Sequence, residues 1–300
     1  MLWLKHIGCF KLDGVKIHDS RRVLSGFAVW LFVSTITYAS ESLVMGVHPY
    51  RPHNELKEMF QPLADYLSME LDQKIEVRIG DSYQSHIDAI LAGDVDFAYI
   101  GPSLFVSLTR TSNDIPVLAR LEINGKPTFT GKIIVSDDSG INDIEDLKQR
   151  QFAFGNRSST MSHLIPRQML YEAGIDLDDL AGYHHYSNHN NVAMAVLAGD
   201  ADAGAVKEAV FEKYRKHGIV AIETTEAVSE HLFIGTLKTD SQLLKELKMA
   251  LLNLDHKNSD TASVLKPIKQ TATALVQTSY QDYDALREIL NTLEQRGVMW

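Results

Sequence analysis

The sequence predicts an α/β protein of two lobes with a ligand cleft between them, on three observations. The phrase LAGDVDFAYIGP (residues 91–102) returns 106 residues later as LAGDADAGAVKE (197–208). Each copy closes a run that alternates strand and helix, the rhythm of a parallel sheet with helices on its faces. Two β-rich passages flank the second run, as two crossings between lobes would. A six-position match at equivalent points of two αβ series marks a structural repeat.

The elements follow in order. LVMGVHP (43–49) is a short apolar run ending at a turn, and reads as a buried strand. Over 55–71 the residues Leu56, Met59, Phe60, Leu63 and Leu67 recur at three- and four-residue steps, which predicts an amphipathic helix. KIEVRIG (74–80) alternates as a strand does, and 83–91 reads as a helix ended by Gly93. VDFAYIGP (95–102) is a further buried strand, with the next helix starting at Ser103. The second half repeats the series: strand QFAFG (151–155), helix 159–173, strand GYHHYS (182–187), helix 191–197, a Gly199-Asp200 turn and strand ADAGAV (201–206). The crossings are 115–138, broken by the Asn124-Gly125 turn, and 220–238. From Asp240 the chain reads as helical to its end, most clearly over 243–254 and 283–295. The second lobe is then an insertion in the first. Residues 40–128 begin lobe one, 129–232 form lobe two, and 233–300 return to lobe one with a strand and the C-terminal helices. Ligands of open α/β sheets sit beyond the carboxyl ends of the strands, and two such sheets facing each other make a cleft that closes by hinging.

The first 39 residues stand apart. Five basic residues (Lys5, Lys11, Lys16, Arg21, Arg22) lead into an apolar run over 23–39, with small residues at Thr37 and Ala39. That is the pattern of a secretory signal cleaved near Ala39, with membrane anchoring by residues 23–39 as the alternative. The only cysteine, Cys9, falls inside this segment, so the mature chain would hold no thiol and no disulfide. The chain carries a formal charge of −10. This argues against a nucleic-acid partner, which would want a basic face, and leaves room for a small anion held by a few local donors.

Four hydroxyls in five positions (Ser158, Ser159, Thr160, Ser162) crowd the start of the helix after QFAFG. Ordinary N-capping needs one or two. The free N–H groups and positive dipole end of a helix make such a start an anion site. Tyr99 ends its strand and would donate a hydroxyl across the cleft, and Tyr50 closes the first strand beside His48. His184 and His185 point to opposite faces of a strand and make poor joint metal ligands. His189, beyond that strand, reads as a hydrogen-bond donor to a ligand oxygen. Lys207 and Glu208 end the second copy of the phrase at the cleft rim, either as a solvated pair or with Lys207 adding a positive charge for an anion. No nucleophile elbow, His-Glu-x-x-His, P-loop or dinucleotide fingerprint is present.

The ordered set MGVHPY, PLADYL, DSYQSHIDAILAGDVDFAYIGP, FAFGNRSSTMSHLIPRQMLYEAGID and HNNVAMAVLAGDADAGAV resembles the phosphate/phosphite/phosphonate-binding (PhnD-like) substrate-binding proteins of ABC importers, over about 43–240. The resemblance implies the type II periplasmic binding protein fold, two α/β lobes joined by a two-stranded hinge. It implies ligand-binding roles for Tyr99, for Ser159 and Thr160, and for His189, with Tyr50 as the first-strand aromatic. Where the family continues with Ser-Gly or similar, this chain has Met161-Ser162, with Ser162 in the compensating place. Where the family often has an acidic residue able to meet an aminoalkyl group, this chain has Lys207. A compact or more anionic ligand is therefore expected beside an aminoalkylphosphonate. The expected protein is an exported, periplasmic, non-enzymatic solute-binding protein without cofactor or metal. It would capture a phosphonate, phosphite or phosphate-like anion for the membrane subunits of an ABC transporter. A ligand-sensing module working with a sensor kinase, and an exported hydrolase, are the competing readings.

Overall fold

A computed structural model describes residues 42–298, apart from 113, 256, 259 and 260. The expected signal segment and Cys9 lie outside the described residues. The chain opens with β1 (Leu43–Val47), α1 (His53–Glu70), β2 (Ile75–Ile79), α2 (Tyr83–Ala92), β3 (Phe97–Ile100) and α3 (Pro102–Thr111). Next come β4 (Val117–Ile123), β5 (Thr128–Phe129) and β6 (Gly131–Ser136). β7 (Gln151–Phe154) is followed by a π-helical turn, Thr160–Leu164, that runs straight into α4 (Ile165–Glu172). Then follow β8 (Gly182–His185), α5 (His189–Ala198), β9 (Ala203–Lys207), α6 (Glu208–Tyr214) and β10 (Ile219–Thr224). β11 (Val228–Ser229) and β12 (Leu232–Gly235) lead to α7 (Ser241–Leu252), β13 (Ala272–Val276) and α8 (Asp284–Gln295).

Two large sheets form among the described residues, in the orders β13-β4-β12-β3-β1-β2 and β10-β6-β9-β7-β8, beside a two-stranded one, β11-β5. In each large sheet, three parallel strands (β2-β1-β3 and β8-β7-β9) are flanked by an antiparallel neighbour, β12 in the first and β6 in the second. The sheets are thus mixed where the strand–helix rhythm alone predicts parallel ones, because the strands next to the crossings run back against the set. Those crossings pair with each other: β5 lies antiparallel to β11, Phe129 opposite Val228. The Asn124-Gly125 turn forms as expected, both residues at positive φ (51° and 72°).

The repeated phrase does the same mechanical work in each sheet. Gly93 (φ 69°) and Gly199 (φ 75°) end α2 and α5 in the left-handed conformation that glycine adopts without penalty. Three residues after the first glycine, Asp96 donates its backbone N–H to the Val44 carbonyl at 2.9 Å. Its carboxylate accepts the Val44 N–H at 2.7 Å. Asp202 holds Gln151 with the same pair of bonds, 2.9 and 2.7 Å. Each aspartate therefore clamps the incoming strand to the first of the three parallel strands of its own sheet. Asp96→Ala or Asp202→Ala leaves a strand N–H unpaired, and each is expected to cost about 1–3 kcal/mol. Urea unfolding with no drop in midpoint for either variant would contradict the clamp.

Each sheet carries an apolar layer on both faces. In the first, Phe60, Leu63 and Leu67 of α1 pack with Met45, Phe97 and Leu121 on one side. In the second, Phe152, Phe154 and Leu170 lie on one face and Val192, Val196 and Val206 on the other. The remaining cluster joins the two sheets' helices: Leu104, Phe105 and Tyr283 pack with Met161, Leu164 and Ile165. The lobes are closed on one another along this seam. One expectation fails here. The chain after Asp240 is not helical throughout, because residues 272–276 add β13 to the edge of the first sheet, antiparallel to β4. Among the described residues no helix is long and apolar enough to cross a membrane.

Candidate functional site

The strand ends of both sheets converge on a cavity of about 30 Å³. From the first lobe it is walled by His48 and Tyr50 beyond β1, Tyr83 of α2, and Gly101 and Ser103 at the start of α3. Ser158, Ser159, Thr160 and Met161 close it from β7, with His189 from α5, Lys207 from β9, and Phe129 and His231 from the crossings.

The hydroxyls of Ser159 and Thr160 are poised as donors. Ser162 Oγ donates to Ser159 Oγ at 2.9 Å, and the Ser103 N–H donates to Thr160 Oγ1 at 3.2 Å. Each oxygen is supplied as an acceptor, which leaves its own O–H for a ligand. The first-turn N–H groups of the helix add donors and a positive dipole end. Ser162 itself is turned inward. It is 1% exposed, and a Cβ on Gly155 would fall 1.9 Å from its Oγ. Glycine at 155 is what lets the helix start lie this close to β7. Ser162 thus supports Ser159 and does not line the cavity. The expected replacement of a lost hydroxyl is not made through direct exposure.

His189 opens α5, where Asn188 caps the helix by accepting the Asn191 N–H at 3.0 Å. The Lys207 N–H donates to His189 Nδ1 at 3.1 Å, so the neutral ring carries its proton on Nε2 and is a donor. Burial holds its pKa well below the ordinary range, helped by Lys207, His231 and Arg51. Burial also lowers the Lys207 ammonium to about 8, with Lys269 and Arg51 adding to the effect and Glu230 and Glu55 opposing it. Its Nζ lies 5.2 Å from the centre of the Tyr50 ring, a cation–π distance. Burial raises the phenols of Tyr50 and Tyr83 well above their usual range, so both stay protonated donors.

A second cavity, about 740 Å³, adjoins the first and shares Tyr50, Phe129, Lys207 and His231 with it. Tyr99 belongs here. Its ring, 3% exposed, packs against Phe60, Phe233 and His231 and does not line the smaller cavity. β3 alternates its side chains, and the register that pairs Tyr99 with Val47 and Phe233 turns the phenol to this side.

A family model described as the ABC transporter, phosphonate, periplasmic substrate-binding protein matches residues 45–283. The chain belongs to that family. The probable ABC transporter phosphite binding protein PhnD1 of Prochlorococcus marinus (strain MIT 9301) is 24% identical over 285 residues, 89% of this chain and 95% of its own length. The structure of PhnD1 from that organism in complex with methylphosphonate superposes with a TM-score of 0.76. Its identity is 21%, over 84% of this chain and 98% of that one. The same fold is shared with the alkanesulfonate-binding protein SsuA of Xanthomonas axonopodis pv. citri bound to MOPS. There the TM-score is 0.60 and the identity 15%, over 86% of this chain and 94% of that one.

As a member of the phosphonate-binding family, the chain brings five of the seven residues picked from sequence to the small cavity: Tyr50, Ser159, Thr160, His189 and Lys207. Ser162 lies behind that wall, and Tyr99 lines the neighbouring chamber. Residues without a sequence signal complete the wall. His231 donates from Nδ1 to Glu230 at 2.7 Å. Burial pushes the Glu230 carboxyl up, but the hydrogen bonds and charge of His231, joined by Lys207, together hold it below the ordinary range. Both residues lie in the return crossing, where no periodicity marks an inward side chain. His48 adjoins Tyr50 at a strand end, the one positional signal available for it.

Proposed function

We propose that the small cavity holds a compact phosphorus oxyanion, such as phosphite, methylphosphonate or phosphate, for delivery to the membrane subunits of the importer. The observation that carries this reading is the set of donors at one point: the Ser159 and Thr160 hydroxyls, their helix N-terminus and the His189 Nε2–H. Any substituent would extend past Lys207 toward the larger chamber. Lys207, Arg51 and Lys269 disfavour an ammonium group there, while Glu55 is tied to Arg51 and Glu230 to His231. An aminoalkylphosphonate is for that reason the weaker ligand.

The site holds its ligand and does not convert it, since closure on an anion accounts for these residues without a nucleophile and base. We take residues 1–39 as the export signal, residues 40–128 with 233–300 as one lobe, and 129–232 as the other. The paired strands β5 and β11 are the hinge on which they open. Calorimetric titration of residues 40–300 with phosphate, phosphite, methylphosphonate and 2-aminoethylphosphonate tests the reading. Tight binding of one of the first three, with 2-aminoethylphosphonate weaker, is expected. Silence from all four would remove phosphorus from the proposal.

A further inference from the structure

The donors in the small cavity face His48, a group of the opposite kind. His48 is 1% exposed. Its Nδ1 lies 3.3 Å from the Tyr99 carbonyl oxygen, an atom that only accepts, so Nδ1 carries the proton. The neutral ring then presents a lone pair at Nε2. Among the described residues Nε2 has no hydrogen-bond partner. It lies 3.6 Å from the point where a Gly101 side chain would begin, on the cavity wall, and His231 Nε2 lies at the same distance beside it. The ring is kept neutral by burial first and then by His231 and His86. The titratable groups around it are His86, Tyr83, Tyr50, Tyr99, His231 and Lys207, and none of these is a carboxylate that would hold a proton on it. The nearby carboxylate, Glu230, is engaged with His231.

An anion bearing only acceptor oxygens meets this lone pair with repulsion, while one that keeps a P–OH meets it with a hydrogen bond. We propose that His48 Nε2 accepts a hydrogen bond from the ligand's own P–OH, so that the site selects the singly protonated form of a phosphorus oxyanion and rejects sulfonates and sulfate. This rests on the binding reading above and adds a specificity-determining residue to it. The question is a real one for the fold, since an alkanesulfonate-binding protein shares it. A site built to hydrogen-bond a ligand hydroxyl rejects the analogue lacking it strongly, by up to about 10⁴-fold or more, because the buried group is left unpaired.

Methylphosphonate monoanion and methanesulfonate are alike in charge and shape and differ by that one proton. Calorimetry at about pH 6.5, where His48 is neutral and the phosphonate keeps its proton, is expected to show methylphosphonate binding at least about 100-fold tighter. In His48→Phe the ratio is expected to fall to within about tenfold, by loss of phosphonate affinity with methanesulfonate unchanged or improved. His48→Asn serves as a second variant. Its amide reaches the Tyr99 carbonyl from the Nδ1 position but has no atom at Nε2, and the same collapse is expected. A purely structural role for His48 would weaken both ligands together and leave the ratio intact. That result overturns the proposal, as does wild-type binding of methanesulfonate within about threefold of methylphosphonate. Binding of methylphosphonate without selectivity leaves the oxyanion site standing and removes only the role of His48. Failure of every phosphorus oxyanion to bind removes both.

Discussion

Ser159→Ala with Thr160→Ala is expected to weaken oxyanion binding by about 10²–10⁴-fold while leaving the fold intact. The two hydroxyls each donate one hydrogen bond to a charged ligand, worth roughly 1.5–3 kcal/mol apiece. Thr160→Ala leaves the Ser103 N–H unpaired, a cost of about 1–3 kcal/mol, but the helix start is held by other bonds. The Gly155 N–H donates to the Ser162 carbonyl at 2.8 Å, and the Ser103 Oγ donates to the Ser158 carbonyl at 2.6 Å. The second of these also spans the lobes, so closure does not depend on the hydroxyls removed. Calorimetry with the best ligand, alongside urea unfolding, separates the two effects. Unchanged affinity in the double variant would dismiss this helix start as the oxyanion site. Lost affinity together with a collapsed unfolding midpoint would assign the hydroxyls to structure.

Lys207 is expected to give the second large effect, and one with a definite pH sense. Its folded pKa, about 8, lies below the unfolded value of about 10.4. The folded chain therefore binds fewer protons than the unfolded one between these values. The charged lysine is a cost to stability that is fully present below about pH 8 and is relieved as pH rises toward about 10.4. A bound anion reverses the balance by favouring the ammonium. Affinity should be highest below about pH 8 and fall as pH rises through it, with proton uptake on binding in that range. Lys207→Met removes both sides of this account. It is expected to weaken the ligand by about 10–100-fold at neutral pH and to raise the unfolding midpoint of the free protein. Equal affinity in variant and wild type would place Lys207 outside the site. A lowered midpoint would contradict the cost of its burial.

Much of this could be seen in the chain before any tertiary structure. The repeated Leu-Ala-Gly-Asp-x-Asp is legible because it is local chemistry: a glycine at positive φ ends the helix, and an aspartate a few residues on can reach a neighbouring strand's N–H. The run at 158–162 is legible for the same reason, since helix starts and hydroxyls advertise themselves within a few residues. Other features are settled only when distant segments meet. Residues 272–276, rich in threonine and alanine, carry no strong strand pattern and become β13 by pairing with β4, some 150 residues earlier. Which face of β3 presents Tyr99 is decided by register with β1 and β12, and that register sends it to the larger chamber.

The sequence by itself thus determined two lobes of one design, the strand ends that meet between them, and a helix start rich in donors. Tertiary structure alone decided the polarity of the site. His48 becomes an acceptor because the Tyr99 carbonyl claims its Nδ1, and His189 becomes a donor because the Lys207 N–H fills its Nδ1. The two imidazoles are the same residue in the sequence. Their opposite roles come from backbone groups contributed by strands 51 and 18 residues away, partners that no local pattern could have named.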